Sequence, residues 1–192
     1  MNAHGFCSDG FEAVRQAFEA NFDQGRELGA SVAVTRNGKP EVDLWAGDAD
    51  SQATPWAEDT LVNVYSTTKT MAAICVLMLA DRGELDLYSP VAEYWPQFAQ
   101  AGKEGVTIAH VMSHSAGLSG FDPPLERVEL LYDWDGVCER LAAQAPWWEP
   151  GTQSGYHAVT QGFLQGEIVR RVSGRSLGTF FREEVAEPLG AD

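Results

Sequence analysis

The stretch "ASVAVTRNGKPEVDLWAG", residues 30–47, constrains the fold more than any other part of the chain. Val32 and Val34 alternate with small or polar neighbours, and so do Val42 and Leu44. Between them, Asn37-Gly38 is the dipeptide that best tolerates the positive φ angles of a two-residue turn. The spacing predicts a β-hairpin of Ser31–Arg36 and Glu41–Trp45 with one apolar face. A lone hairpin is marginally stable in water, so further strands must pair with it, yet nothing after Trp45 reads as a strand. Two expectations follow: another chain supplies the missing strands, or this polypeptide is the first part of something longer.

Around the hairpin the periodicity is helical. In "DGFEAVRQAFEANFDQG", Phe11, Val14, Phe18 and Phe22 share one face, with Asp9 as the expected N-cap. Ser89-Pro90 signals another helix start. Val159, Phe163, Leu164, Ile168 and Val172 line a further helix, and Leu177, Phe180, Phe181 and Val185 the next. The division expected is residues 1–60 with the first helix and hairpin, and residues 61–192 as a mainly helical domain. With 44% apolar residues among 192, the chain can build a core for one domain or slightly more. Its formal net charge of −15 argues against nucleic-acid binding, which needs basic patches. Met71 to Ala80, the longest apolar run, is too short to span a bilayer, so no membrane partner is expected. The N-terminus lacks the basic and apolar regions of a signal peptide, and Cys7, Cys75 and Cys138 show no paired spacing. A cytoplasmic protein is the expectation.

The chemistry concentrates in "VNVYSTTKTMAAICVLMLADRGELD". Ser66 and Lys69 are three residues apart where an apolar helix begins, so they share a face. The positive end of the helix dipole and burial against Met71 and Ile74 both disfavour a charged amine there. An amine with a depressed pKa could take the proton of a serine hydroxyl that is otherwise a poor nucleophile. The plain alternative is a capping serine followed by a surface lysine. Tyr156, in "PWWEPGTQSGYHAVTQGFLQGEIVRRVSG", could relay that proton to a leaving group, or be an ordinary half-buried tyrosine.

Two competing motifs are weaker. "GRSLG", Gly174 to Gly178, matches the G-x-S-x-G elbow with Ser176 as nucleophile. That elbow needs a strand before the serine and a histidine after it. The preceding segment is helical in pattern and the last histidine is His157, so Ser176 is expected to cap a helix. His110 and His114 have an i, i+4 spacing that could hold a metal, but residue 111 is valine and no third ligand is evident. No metal and no organic cofactor are expected.

Four stretches in order resemble one known family: "VDLWAG", "STTK" opening an apolar helix, "TIAHVMSHSAGLSG", and "WWEPGTQSGYHAVTQGFL". The closing "EEVAEPLGAD" fits the same pattern. Together they are similar to the serine β-lactamase and penicillin-binding-protein superfamily, in the branch that holds class C β-lactamases and family VIII carboxylesterases. The resemblance implies an α/β (α+β) fold in which an antiparallel sheet is flanked by helices and joined to an all-helical domain. It implies that Ser66 is acylated, that Lys69 is its base partner and that Tyr156 is the second-motif tyrosine. Members run roughly twice as long, so the resemblance implies that the C-terminal strands, a third motif and one oxyanion donor are not in this chain. Where β-lactamases of the branch carry Tyr-x-Asn, this sequence has Tyr156-His157-Ala158. Loss of that amide, which contacts a substrate's acylamide group, points to ester hydrolysis. A β-lactamase, a D-Ala-D-Ala peptidase-like acyl transferase or a non-catalytic penicillin-binding-like module are the alternatives. A small ester is the expected substrate; Phe121, Trp134, Trp148 and His157 are expected to face it. The expected macromolecular partner is a C-terminal half of the same protein, or self-association.

Overall fold

The computed structural model describes residues 2–191. The chain divides into two compact units, residues 1–63 and residues 64–192.

In the first unit, strands β2 (Gly29–Arg36) and β3 (Lys39–Gly47) form the hairpin. Val32 lies opposite Leu44 and Val34 opposite Val42. Asn37 and Gly38 have φ values of 52° and 73°, the left-handed pair that a two-residue turn requires. The expected lack of a strand partner is corrected: β1 (His4–Cys7) pairs antiparallel with β3, and the sheet order is β1-β3-β2. The third strand comes from before the hairpin. Helix α1 (Glu12–Asp23) packs Phe18 onto Val42, Leu44 and Ala46, with Val14 and Phe22 at the margins. Val42 and Leu44 are therefore buried, and Val32 and Val34 are half-buried. Asp9 does not cap α1. Phe11 occupies the capping position, and the Glu12 carboxylate accepts from the Gly10 N–H at 2.9 Å. Among the described residues no further strand follows Gly47, apart from two isolated bridges.

The second unit is helical. Helix α2 (Thr68–Asp81) and helix α6 (Thr160–Ser173) form its centre, burying Cys75, Val76 and Leu79 against Leu164 and Ile168. Helix α5 (Trp134–Ala143) adds Val137 and Leu141. Short helices α3 (Val91–Tyr94), α4 (Ile108–Met112) and α7 (Leu177–Phe181) close the unit. Pro90 stands one residue earlier than expected, at the capping position of α3. Gly174, at φ 72°, ends α6 in the left-handed conformation. The thiols are all free, Cys75 and Cys138 are buried, and burial pushes the Cys138 thiol up to about 12. Among the described residues no helix is long and apolar enough to cross a membrane.

Candidate active site

Ser66 lies in a single 3-10 turn, Tyr65–Thr67, that runs directly into α2. Tyr65 before it has φ 46°. That left-handed conformation costs a bulky residue on the order of 1–3 kcal/mol, and such strain tends to cluster at functional sites. Lys69 follows on the first turn of α2. Its Nζ donates to the Ala158 carbonyl at 2.7 Å and stands 5.1 Å from the centre of the Tyr156 ring. The Tyr156 hydroxyl donates to Ser66 Oγ at 2.7 Å. Tyr156, ninety positions further along the chain, thus meets Ser66 and Lys69 at one point. The contacts that hold Lys69 are not those expected, because Ile74 is exposed and the Ala158 carbonyl and Tyr156 ring take its place.

The Tyr156 phenol is held below the ordinary tyrosine pKa, first by the hydrogen bond that the Ser66 hydroxyl can turn and donate to the phenolate, then by the hydrogen bond and charge of Lys69. A lowered phenol pKa makes the phenolate more accessible near neutrality, which is what a proton acceptor for a serine hydroxyl needs.

The segment carrying Tyr156 is anchored from below by His114. The His114 carbonyl accepts from the Gly155 N–H at 3.1 Å, and its Nδ1 accepts from the His157 N–H at 3.1 Å. Its ring lies 4.9 Å from that of Tyr156. His114 itself has φ 61°. Burial, and then the charge of Lys69, hold its pKa below the usual histidine value, so the neutral ring that this acceptor role demands is favoured. The i, i+4 spacing with His110 suggests only a metal ligand, whereas in the structure His114 anchors the Tyr156 segment. Its one sequence signal is its place in "MSHSAGL", because a left-handed backbone is not written in side-chain identity.

His157 requires a correction, because it is fully buried and cannot face a substrate. Its Nε2 accepts from the Leu118 N–H at 3.1 Å and its Nδ1 lies against the Gly155 carbonyl, which places the proton on Nδ1. Trp134 is also elsewhere: its Nε1 donates to Glu167 at 3.0 Å and its ring packs on Phe163. Trp148 packs edge-on to His157, 6.2 Å between centres, and closely over Gly155. Of the four expected substrate contacts, Phe121 lines an open cavity, which also includes Ala158 and Val159. Ser176 caps α7 by accepting from the Thr179 N–H at 3.1 Å, and the segment before it is α6, not a strand. His110 Nδ1 accepts from the Thr107 N–H at 3.2 Å in a capping box.

Residues 14–192 match the β-lactamase family. The chain belongs to the β-lactamase family. Within this family it is 43% identical over 183 residues to the esterase/β-lactamase LipL of Mycobacterium tuberculosis, covering 95% of this chain and 42% of LipL. A penicillin-binding protein homologue from Caulobacter crescentus superposes with a TM-score of 0.95 at 49% identity, covering 99% of this chain and 51% of its own. A family VIII carboxylesterase superposes at 0.92 with 52% identity, covering 99% and 52%. The chain therefore has the β-lactamase-like fold, and spans about half the length of these relatives.

Proposed function

We propose that this β-lactamase-family chain carries the nucleophile of a serine ester hydrolase working through an acyl-enzyme on Ser66. The observation that carries the proposal is the 2.7 Å hydrogen bond between Tyr156 and Ser66 beside Lys69. In the proposed reaction the Tyr156–Lys69 pair accepts the Ser66 proton as Oγ bonds to the ester carbonyl carbon. The carbonyl oxygen becomes an oxyanion, for which the Ser66 N–H is the donor this chain offers. As the tetrahedral intermediate collapses, the C–O bond to the alcohol breaks and the held proton passes to the leaving oxygen. Water then attacks the acyl-Ser66 ester, giving up a proton to the same pair, and the acid leaves as Ser66 recovers its hydrogen.

The names of LipL, which couples esterase with β-lactamase, and of the carboxylesterase neighbour support an ester substrate, with β-lactam turnover as the second reading. Ala158 favours the ester, since it offers its carbonyl to Lys69 and has no side-chain amide for a substrate. A cytoplasmic setting belongs to the same proposal and is supported by the three free cysteines. The substrate is a small molecule. The outer edge of β2, unpaired among the described residues, is where a strand from elsewhere in the polypeptide or from a second copy would add.

The test is intact mass spectrometry and peptide mapping of the full natural polypeptide after exposure to a fluorophosphonate. One adduct on Ser66 is expected, absent in Ser66→Ala and retained in Ser176→Ala. A label on Ser176 would overturn the assignment.

A further inference from the structure

The open cavity beside Ala158 measures about 370 Å³ and is lined by Phe121, Pro124, Leu125, Val128, Leu131 and Val159, with Ser119 and Arg127 as its polar members. That volume is at the lower end of small-ligand sites, which are mostly apolar with few polar groups. Ala158 joins the cavity to the catalytic residues, because its carbonyl holds Lys69 Nζ.

One wall is the loop 117–125, whose backbone is held at several points. The Trp147 N–H donates to the Gly117 carbonyl at 2.8 Å. The Leu118 N–H is taken by His157 and its carbonyl by the Thr160 hydroxyl. Beyond these, Gln144 spans the turn of the loop. Its Oε1 accepts from the Asp122 N–H at 2.9 Å and its Nε2 donates to the Gly120 carbonyl at 3.0 Å. Gln144 is 7% exposed and is itself held from behind. Its carbonyl accepts from Nζ of the fully buried Lys103, which also donates to the Ala142 carbonyl at 2.9 Å and the Gln100 carbonyl at 2.8 Å. A chain of hydrogen bonds thus runs from Lys103 through Gln144 to residues 120–122, next to Phe121 on the cavity wall.

Resting on the ester-hydrolase reading, we propose that this cavity receives the apolar acyl group of the ester and that Gln144 is the positioning residue that sets its shape. Gln144 touches no reacting atom. It satisfies one donor and one acceptor of the loop at once, so the wall stands ready before substrate arrives. Losing the amide frees Gly120 and Asp122 together and lets Phe121 drift. The loss should fall on substrates that need the wall and spare the smallest acyl group.

The experiment compares p-nitrophenyl acetate, butyrate and hexanoate, and the acetate esters of ethanol, butanol and hexanol, with the full natural polypeptide and its Gln144→Leu, Gln144→Glu and Val159→Trp variants. The readout is the hexanoate-to-acetate ratio of kcat/KM. Gln144→Leu should lower it about tenfold, chiefly through KM, consistent with what a few apolar contacts supply. Gln144→Glu keeps the acceptor for Asp122 and should fall between, and it carries the test if the leucine variant does not fold. Val159→Trp, which adds bulk at another lining position, should lower the same ratio. An unchanged ratio in Val159→Trp overturns the pocket. An unchanged ratio in both Gln144 variants, with a fall in Val159→Trp, overturns the role of Gln144. A shift confined to acetate esters of lengthening alcohols overturns the acyl assignment. Fluorophosphonate labelling of Ser66 in every variant separates these outcomes from failure of the hydrolase reading, in which no variant labels at Ser66.

Discussion

In the proposed reaction the Tyr156 hydroxyl serves Ser66 while its ring is held against Lys69, and the other ring packed on it is His114. Replacing Tyr156 by phenylalanine removes the proposed proton acceptor and leaves the ring packing, so kcat for p-nitrophenyl acetate should fall about 10²- to 10⁴-fold with KM little changed. Steady-state kinetics on the full natural polypeptide check it. The histidines add a pH dependence. Burial holds both His114 and His157 below the ordinary value, helped at His114 by Lys69 and at His157 by His114. Unfolded histidines take up protons near pH ~6.5, before the native ones do. The unfolded state therefore binds more protons just below that pH, and stability, complete above it, declines as pH falls through the lower native values. When His114 itself protonates, its Nδ1 hydrogen meets the His157 N–H and Tyr156 loses an anchor. His114→Asn supplies a carbonyl acceptor that does not titrate and tolerates the left-handed backbone. The acid limb of its kcat profile should move to lower pH, and an unmoved limb would show that the limb belongs to another group.

At the level of elements, Lys103 is the clearest test of what holds the second unit together. Its buried amine closes the C-terminal end of α5, taking the carbonyls of Ala142 and Gln144 that no further turn of helix can satisfy. Burial lowers its pKa to about 8. Between roughly pH 8 and the ordinary lysine value near ~10.4, the unfolded chain holds the extra proton, so stability should rise with pH across that window. Lys103→Met should lose about 1–3 kcal/mol at pH 7, from orphaned carbonyls, and should lose the alkaline rise as well; urea melts at several pH values measure both. Elements differ in how openly the sequence declares them. The hairpin is legible because alternation and Asn37-Gly38 act within a few residues of one another. β1 is not, since His4–Cys7 is short, contains Gly5 at φ 87°, and gains strand geometry only from β3, about forty residues on. The convergence of Ser66, Lys69 and Tyr156 could be anticipated from side-chain chemistry and resemblance. The groups that hold them, the Ala158 carbonyl and the left-handed His114, are backbone features, and no residue type announces them. His157 could not be placed from its letter alone, because a histidine serves equally as a surface contact and as a buried, fully bonded strut.

Taken as a whole, the molecule joins two units of unequal cohesion and carries a large excess of negative charge. Among the described residues the first unit's core consists of Phe18, Val42, Leu44 and Ala46, whereas twenty buried residues form that of the second. Small units bury too small a fraction of their surface to be robust, so hydrogen exchange should release α1 and the strands well before the amides of α2, α5 and α6. Equal protection in both would contradict this. The charge bears on substrate choice. With 28 acidic against 13 basic side chains, the field around this chain repels anions at long range. A neutral p-nitrophenyl ester does not feel that repulsion, but a cephalosporin carries a carboxylate. Raising ionic strength from about 10 mM to about 150 mM shortens the screening length from ~30 Å to ~8 Å and removes most of the long-range term. kcat/KM for the cephalosporin should therefore rise with salt, while that for the neutral ester stays flat, and at either salt level the ester should remain the better substrate because Ala158 offers no amide. A cephalosporin rate that falls with salt would mean that the local cations, Lys69 and Arg127, outweigh the molecule's net field at the site.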